Sequence, residues 1–240
     1  IQPNAEAAEQ KLKEKLLASG VQPKGFAVPL RNMRTEAAIF SEANLPLLTE
    51  EAKLCNEYDK IAGAQTVQWE GQERTLAQLL PVYQDTRRSR REDAWRLSAQ
   101  RRLADRQAIN DLWAKFLPLR RQLARNAGFG DDYRAFRWRQ LLRFDYSPDD
   151  CRSFHAAIAE VAVPAATRIY ERRRKRLGVA TLRPWDLEVD PLGRPPLHPF
   201  KRVDRLMARA STMFHRVDPV LGGYFDVMRQ EGLLDLANRK

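Results

Sequence analysis

Residues 87–126, RRSRREDAWRLSAQRRLADRQAINDLWAKFLPLRRQLARN, hold the strongest helical period in the chain and decide its fold class. Trp95, Ile109, Leu112, Trp113, Phe116 and Leu123 recur near one face, while arginines and aspartates fill the other. Apolar residues returning every three or four positions line one side of a helix. The period predicts one long helix, kinked or divided at Pro118, because proline lacks the N–H that a helix interior uses. Gly128-Phe129-Gly130 ends it. Asp131 can then cap a helix carrying Tyr133, Phe136, Trp138, Leu141 and Leu142.

Towards the N-terminus the pattern stays helical. Asn4 can cap a helix from Ala5 to Ser19, stopped by Gly20, with Leu12, Leu16 and Leu17 as its apolar stripe. A stretch punctuated by Pro23, Gly25 and Pro29 follows, then a short helix from Thr35 to Ala43 ahead of Pro46. Thr49 can cap the next, whose Ala52, Leu54, Cys55, Tyr58 and Ile61 share a face before Gly63. The one strand signal is a β-hairpin, 66–69 and 72–75, with Gly71 supplying the positive φ of its turn. Thr75 and Gln78 form a capping box that opens a helix carrying Leu76, Leu79 and Leu80.

Towards the C-terminus, Ser147-Pro148-Asp149-Asp150 combines a hydroxyl cap, proline at the first helical position and two carboxylates at the positive dipole end. That helix is predicted to run to Leu177, kinked at Pro164 and stopped by Gly178. A proline-rich connector, 184–199, precedes two final helices, Val203 to Arg216 and Pro219 to Glu231. The expected architecture is mostly α: a multi-helix lobe over 1–183 with one small hairpin near 66–75, the connector, and a helical region over 200–240.

Bulk composition narrows the function classes. With 43% hydrophobic residues among 240, plus five Trp, ten Phe and six Tyr, the chain can build a core and is no solvated coil. The net charge of +11 permits an anionic partner, but acids and bases alternate along the chain as on a solvated helical surface. Two cysteines, Cys55 and Cys151, fit a reducing, cytoplasmic compartment and no disulfide framework. No apolar run reaches the length of a membrane span.

Chemical motifs are sparse. His155, His198 and His215 are scattered, and none opens H-E-x-x-H. Cys151 and His155 share a helical face without a third ligand, which reads as packing. Gly128-Phe129-Gly130 lacks the third glycine and preceding strand of a phosphate loop, and no G-x-S-x-G elbow exists. Arg172-Arg173-Arg174-Lys175-Arg176 suits the negative end of a helix dipole and lacks the aromatics that stack on bases. Arg134 to Arg139 does interleave arginines with aromatics; Tyr133 and Phe136 can face a core while the arginines reach outward. No catalytic or metal-ligating residue is assigned.

An ordered set of short words spans nearly the whole chain: Asn44-Leu45-Pro46-Leu47, Tyr58 to Gln65, Trp69-Glu70-Gly71, Arg120 with Asn126-Ala127-Gly128-Phe129, Arg143-Phe144-Asp145-Tyr146-Ser147-Pro148, and Leu182 to Leu187. Together they resemble the oligoendopeptidase F group of the M3 zinc metallopeptidases. The resemblance implies the helical N-terminal lobe that walls a narrow substrate channel, with Arg137, Trp138 and Tyr146 as channel-lining candidates. It also implies a second lobe carrying H-E-x-x-H and a later glutamate, which hold zinc and activate water. Nothing here matches that helix. The expectation is therefore a zinc endopeptidase of short peptides in the parent protein, with 200–240 as the truncated start of its catalytic region. This stretch should be inactive and bind no zinc alone, and its missing partner is the C-terminal lobe. The alternative from charge is a non-enzymatic basic binding module for an acidic partner or nucleic acid, although nucleic acid is the weaker of these.

Overall fold

The computed structural model describes residues 2–236 and divides into two compact units, one running to Leu192 and one from Gly193. Among the described residues there are ten α-helices and one two-stranded antiparallel sheet, a mostly α fold. No helix among them is long and apolar enough to cross a membrane.

In the first unit, α1 (Gln2–Ala18) and α2 (Ala27–Ile39) precede α3 (Asn44–Gly63). Three starts differ from the sequence expectation. Asn4 lies inside α1, so it caps nothing. Pro29 and Pro46 sit within the first turns of α2 and α3, where a missing N–H leaves no bond unmade. Each helix therefore begins earlier than its prolines suggest. Thr49, inside α3, donates its hydroxyl to the Leu45 carbonyl instead of capping. Leu12 of the expected stripe is exposed, while Gln10 of the same helix is buried.

The hairpin pairs β1 (Thr66–Trp69) with β2 (Gln72–Thr75) in the register Thr66 to Thr75 and Trp69 to Gln72. Glu70 and Gly71 have φ of 50° and 78°, the two left-handed residues of a tight hairpin turn. The Thr75–Gln78 capping box forms with both of its bonds, but the segment it opens, Ala77–Gln84, is a 3-10 helix containing Pro81.

The long period divides at Asp105, not at Pro118, into α4 (Arg88–Ala104) and α5 (Arg106–Asn126). Asp105 takes a non-helical backbone, and its carboxylate accepts from Gln65 at 2.9 Å and Arg101 at 2.7 Å. That anchorage to the end of α3 fixes the break. Pro118 stays within α5, where Ala114 and Pro118 both lie on the exposed side and water can meet the freed carbonyl.

Two apolar clusters hold these helices together. Leu54 of α3 meets Leu112 and Phe116 of α5. Leu123 and Ala124 at the end of α5 enclose Phe136 of α6 (Tyr133–Gln140), with Leu47, Leu48 and Phe129 against them. Each fully buried leucine or phenylalanine contributes roughly 1.5–3 kcal/mol. Asn44, also buried, donates to the Leu123 carbonyl at 3.1 Å and accepts from Asn126 at 2.9 Å, locking α3 to α5.

Beyond α6, α7 (Pro148–Ala157) and α8 (Val163–Leu177) are joined by a π-turn, Ile158–Ala162, just before Pro164. Without an N–H at Pro164 the hydrogen-bond ladder slips, and Val163 N–H reaches back five residues to Ile158. Gly178 closes α8 with φ of 67°. Residues 184–189 then fold back, burying Trp185, Asp186 and Val189.

The second unit contains α9 (Val203–Val217) and α10 (Pro219–Gln230) as an antiparallel pair. Asp218 caps α10 through Val220 and Leu221.

Candidate functional site

The site grows from the junction of α6 and α7. Asp132, one residue later than expected, caps α6 by accepting from Ala135 N–H at 2.8 Å. Eight residues make barely two turns, so α6 depends on Phe136, which is buried with Phe129 5.9 Å and Tyr133 6.0 Å away. With Phe136 turned inward, Trp138 lies on another side of the helix.

Just past the end of α6, Leu142 has a φ of 54° and so lies outside the helix expected to carry it. A non-glycine residue there costs about 1–2 kcal/mol. Leu142 N–H donates to Arg139 and Arg143 N–H to Trp138, a turn that sends the chain back over the helix end. The reversal places the Arg143 guanidinium 4.5 Å above the Trp138 ring and 5.9 Å from that of Tyr146. Trp138 Nε1–H donates to the Tyr146 carbonyl at 2.9 Å, and the two rings meet edge to face at 5.2 Å. Phe144 is held from behind by Arg31, 4.2 Å from its ring.

These side chains wall a cavity of about 480 Å³, lined by Phe129, Trp138, Arg139, Arg143, Phe144 and Tyr146, with Asp145 and Asp150 at its polar side. Asp150 is committed elsewhere. It accepts from Ser147 N–H and Oγ, both at 2.7 Å, and that backbone bond first, then the hydroxyl, holds its carboxyl below the usual range. The structure thus brings Trp138 and Tyr146 together. Arg137 does not join them: it is exposed, bonded to Gln140 and no part of the cavity wall. Arg143 was legible only as part of a quoted word. The aromatic residue next to it, Phe144, was the available signal.

Other sequence candidates resolve into structure. Cys151 and His155 have no third ligand, and among the described residues no group of three His, Cys, Asp or Glu could hold a metal ion. In the basic run, Arg173 donates to the Asp186 and Val189 carbonyls, and Arg174 to Glu171 and the Val179 carbonyl. His215 Nε2 and Ser211 Oγ both bond one carboxylate, Asp226, at 2.8 and 2.7 Å. Serine and histidine therefore share a partner without meeting, which ties α9 to α10 and makes no nucleophile.

A buried charge cluster escaped the sequence reading. Asp186, fully buried, accepts from Arg88 at 2.8 and 3.0 Å, Arg91 at 2.9 Å and Arg183 N–H at 2.9 Å. Arg91, 2% exposed, also donates to the Trp185 and Asp85 carbonyls. The cluster clamps 183–186 onto α4.

Comparison with known proteins bears on family and fold. The sequence profile of peptidase family M3 matches residues 82–207. Among solved structures, Pz peptidase A with an inhibitor superposes at TM-score 0.90 and 23% identity, covering 100% of this chain and 43% of that one. A protein described as an oligoendopeptidase F from Bacillus anthracis str. Ames gives 0.86 at 20% identity, with 100% and 44% covered. A second described as oligoendopeptidase F gives 0.87 at 23%, with 100% and 43% covered. At these identities the likeness is one of fold, and the chain spans less than half the length of each. No curated protein matches the chain significantly.

Proposed function

Because the chain belongs to peptidase family M3, we propose that it forms the channel wall that holds short peptides in a zinc-dependent metalloendopeptidase. The observation that carries the reading is the cavity at the α6–α7 junction, whose aromatic wall and arginines suit an apolar peptide bearing carboxylates. Trp138 and Tyr146 offer amphipathic surface at low entropic cost, whereas Arg137, exposed and bonded to Gln140, lies outside the cavity wall. The setting is a reducing cytoplasm, consistent with Cys55 and Cys151 as free thiols.

Zinc does not fit the side chains described here, since no three potential ligands converge, and no chemical step is assigned to it. We place the zinc ligands and the water-activating glutamate on further polypeptide of the parent protein. Exposed apolar faces support a covering lobe. Along α7 and α8, Phe154, Val161, Val163 and Ile169 are each more than half exposed, and no other helix packs closely alongside among the described residues. Faces of that kind on a soluble monomer mark surfaces that meet something else.

The test is to sequence the transcript that encodes this chain. The reading expects H-E-x-x-H and a later glutamate in the same frame. A complete transcript with neither would overturn it.

A further inference from the structure

We propose that Arg143 recognises the C-terminal carboxylate of a short peptide lodged between α6 and α7, an inference that rests on the peptide-holding reading above. Its side chain is half-buried, and its guanidinium lies 4.5 Å from the centre of the Trp138 ring and 5.9 Å from that of Tyr146. Stacking uses the faces of a guanidinium and leaves its in-plane N–H groups free to donate in pairs to a carboxylate.

The other arginines of this unit that are half-buried and lie over an aromatic ring, and the buried Arg91, already hold a carboxylate, whereas the exposed Arg31 and Arg134 lie over rings without one among the described residues. Arg120 is on Glu51 at 2.7 Å, Arg88 and Arg91 are on Asp186, and Arg90 is on Asp85 and Glu70. Arg143 has no such acceptor among the described residues. A half-buried cation fixed in place without its anion is a site prepared for one.

Two further features point the same way. The left-handed Leu142 is what turns Arg143 back over Trp138, and strain of this kind collects where a side chain must be aimed. The cavity of about 480 Å³ lies in the size range of small-ligand sites, and its Phe129 and Phe144 walls can receive an apolar terminal side chain. Asp145 and Asp150 on the polar side repel a doubly charged phosphate more than a singly charged carboxylate. The ligand class is therefore a peptide with a free C-terminus and an apolar last residue.

Calorimetric titration of the purified chain with N-acetyl-Ala-Leu-Phe, with its C-terminal amide, and with inorganic phosphate tests this. We expect the free acid to bind roughly tenfold tighter than the amide. Arg143→Met should bring the acid down to the amide's affinity while leaving the amide unchanged, and Arg143→Lys should fall between. Circular dichroism of each variant confirms that it folds. Equal binding of acid and amide by the unaltered chain would overturn the carboxylate assignment and leave the peptide-holding reading standing. Binding of neither peptide would overturn both. Phosphate binding that depends on Arg143, without preference for the acid peptide, would reassign the site to phosphate and refute the proposal.

Discussion

Asp186 is the residue on which the first unit's electrostatics turn. Burial pushes its carboxyl up, but hydrogen bonds from Arg88, the Arg183 N–H and Arg91 together outweigh it and hold the group below the usual carboxylate range. A depressed folded value contributes stability that is present above the unfolded value, about 4, and is lost as pH falls through the folded one. Asp186→Asn should therefore cost about 3 kcal/mol at neutral pH, because Arg91 stays buried without its counter-charge. Urea melts of both proteins should converge as the pH drops below about 4. A gap that stays constant into acid would show that shape, not charge, holds 183–186 on α4. None of this was legible in the sequence. Asp186 and Arg91 lie 95 residues apart, and in so arginine-rich a chain nothing local says which arginine an acid will meet. Trp138 stood out as an aromatic among arginines and Tyr146 came only with the resemblance, whereas the aim of Arg143 depends on the φ of Leu142.

At the scale of elements, the boundaries that could be read were those made by local chemistry. Ser147 with Asp150, Thr75 with Gln78, and Gly178 each terminate or start a segment through bonds within a few residues. Boundaries set by distant partners were misread: α3 starts at Asn44, whose side chain reaches Leu123, and the α4–α5 break sits at Asp105, held by Gln65. The α9–α10 pair offers a test of tertiary against local preference. Gly222 lies inside α10, and a methyl group there would run into the His215 ring that Asp226 holds in place. Helix propensity alone favours alanine by about 1 kcal/mol. Overpacking of a fixed ring costs about 1–3 kcal/mol. Gly222→Ala should thus lower the temperature at which the second unit melts, followed as loss of helix signal in far-ultraviolet circular dichroism. A rise would mean that His215 does not occupy that seat.

For the whole molecule, the fold class followed from periodicity, and the ordered words pointed to the same family as the sequence profile. The site was only partly visible, since a cavity arises from reversal of the chain between α6 and α7 and not from any spacing along it. The division of labour proposed above has these residues hold the peptide and further polypeptide carry the metal chemistry. The most direct measurement is hydrolysis of an internally quenched peptide by the purified chain after incubation with zinc, with metal content read on the same gel-filtered sample. We expect no turnover above buffer and no retained zinc. Steady cleavage that co-elutes with equimolar zinc would contradict this.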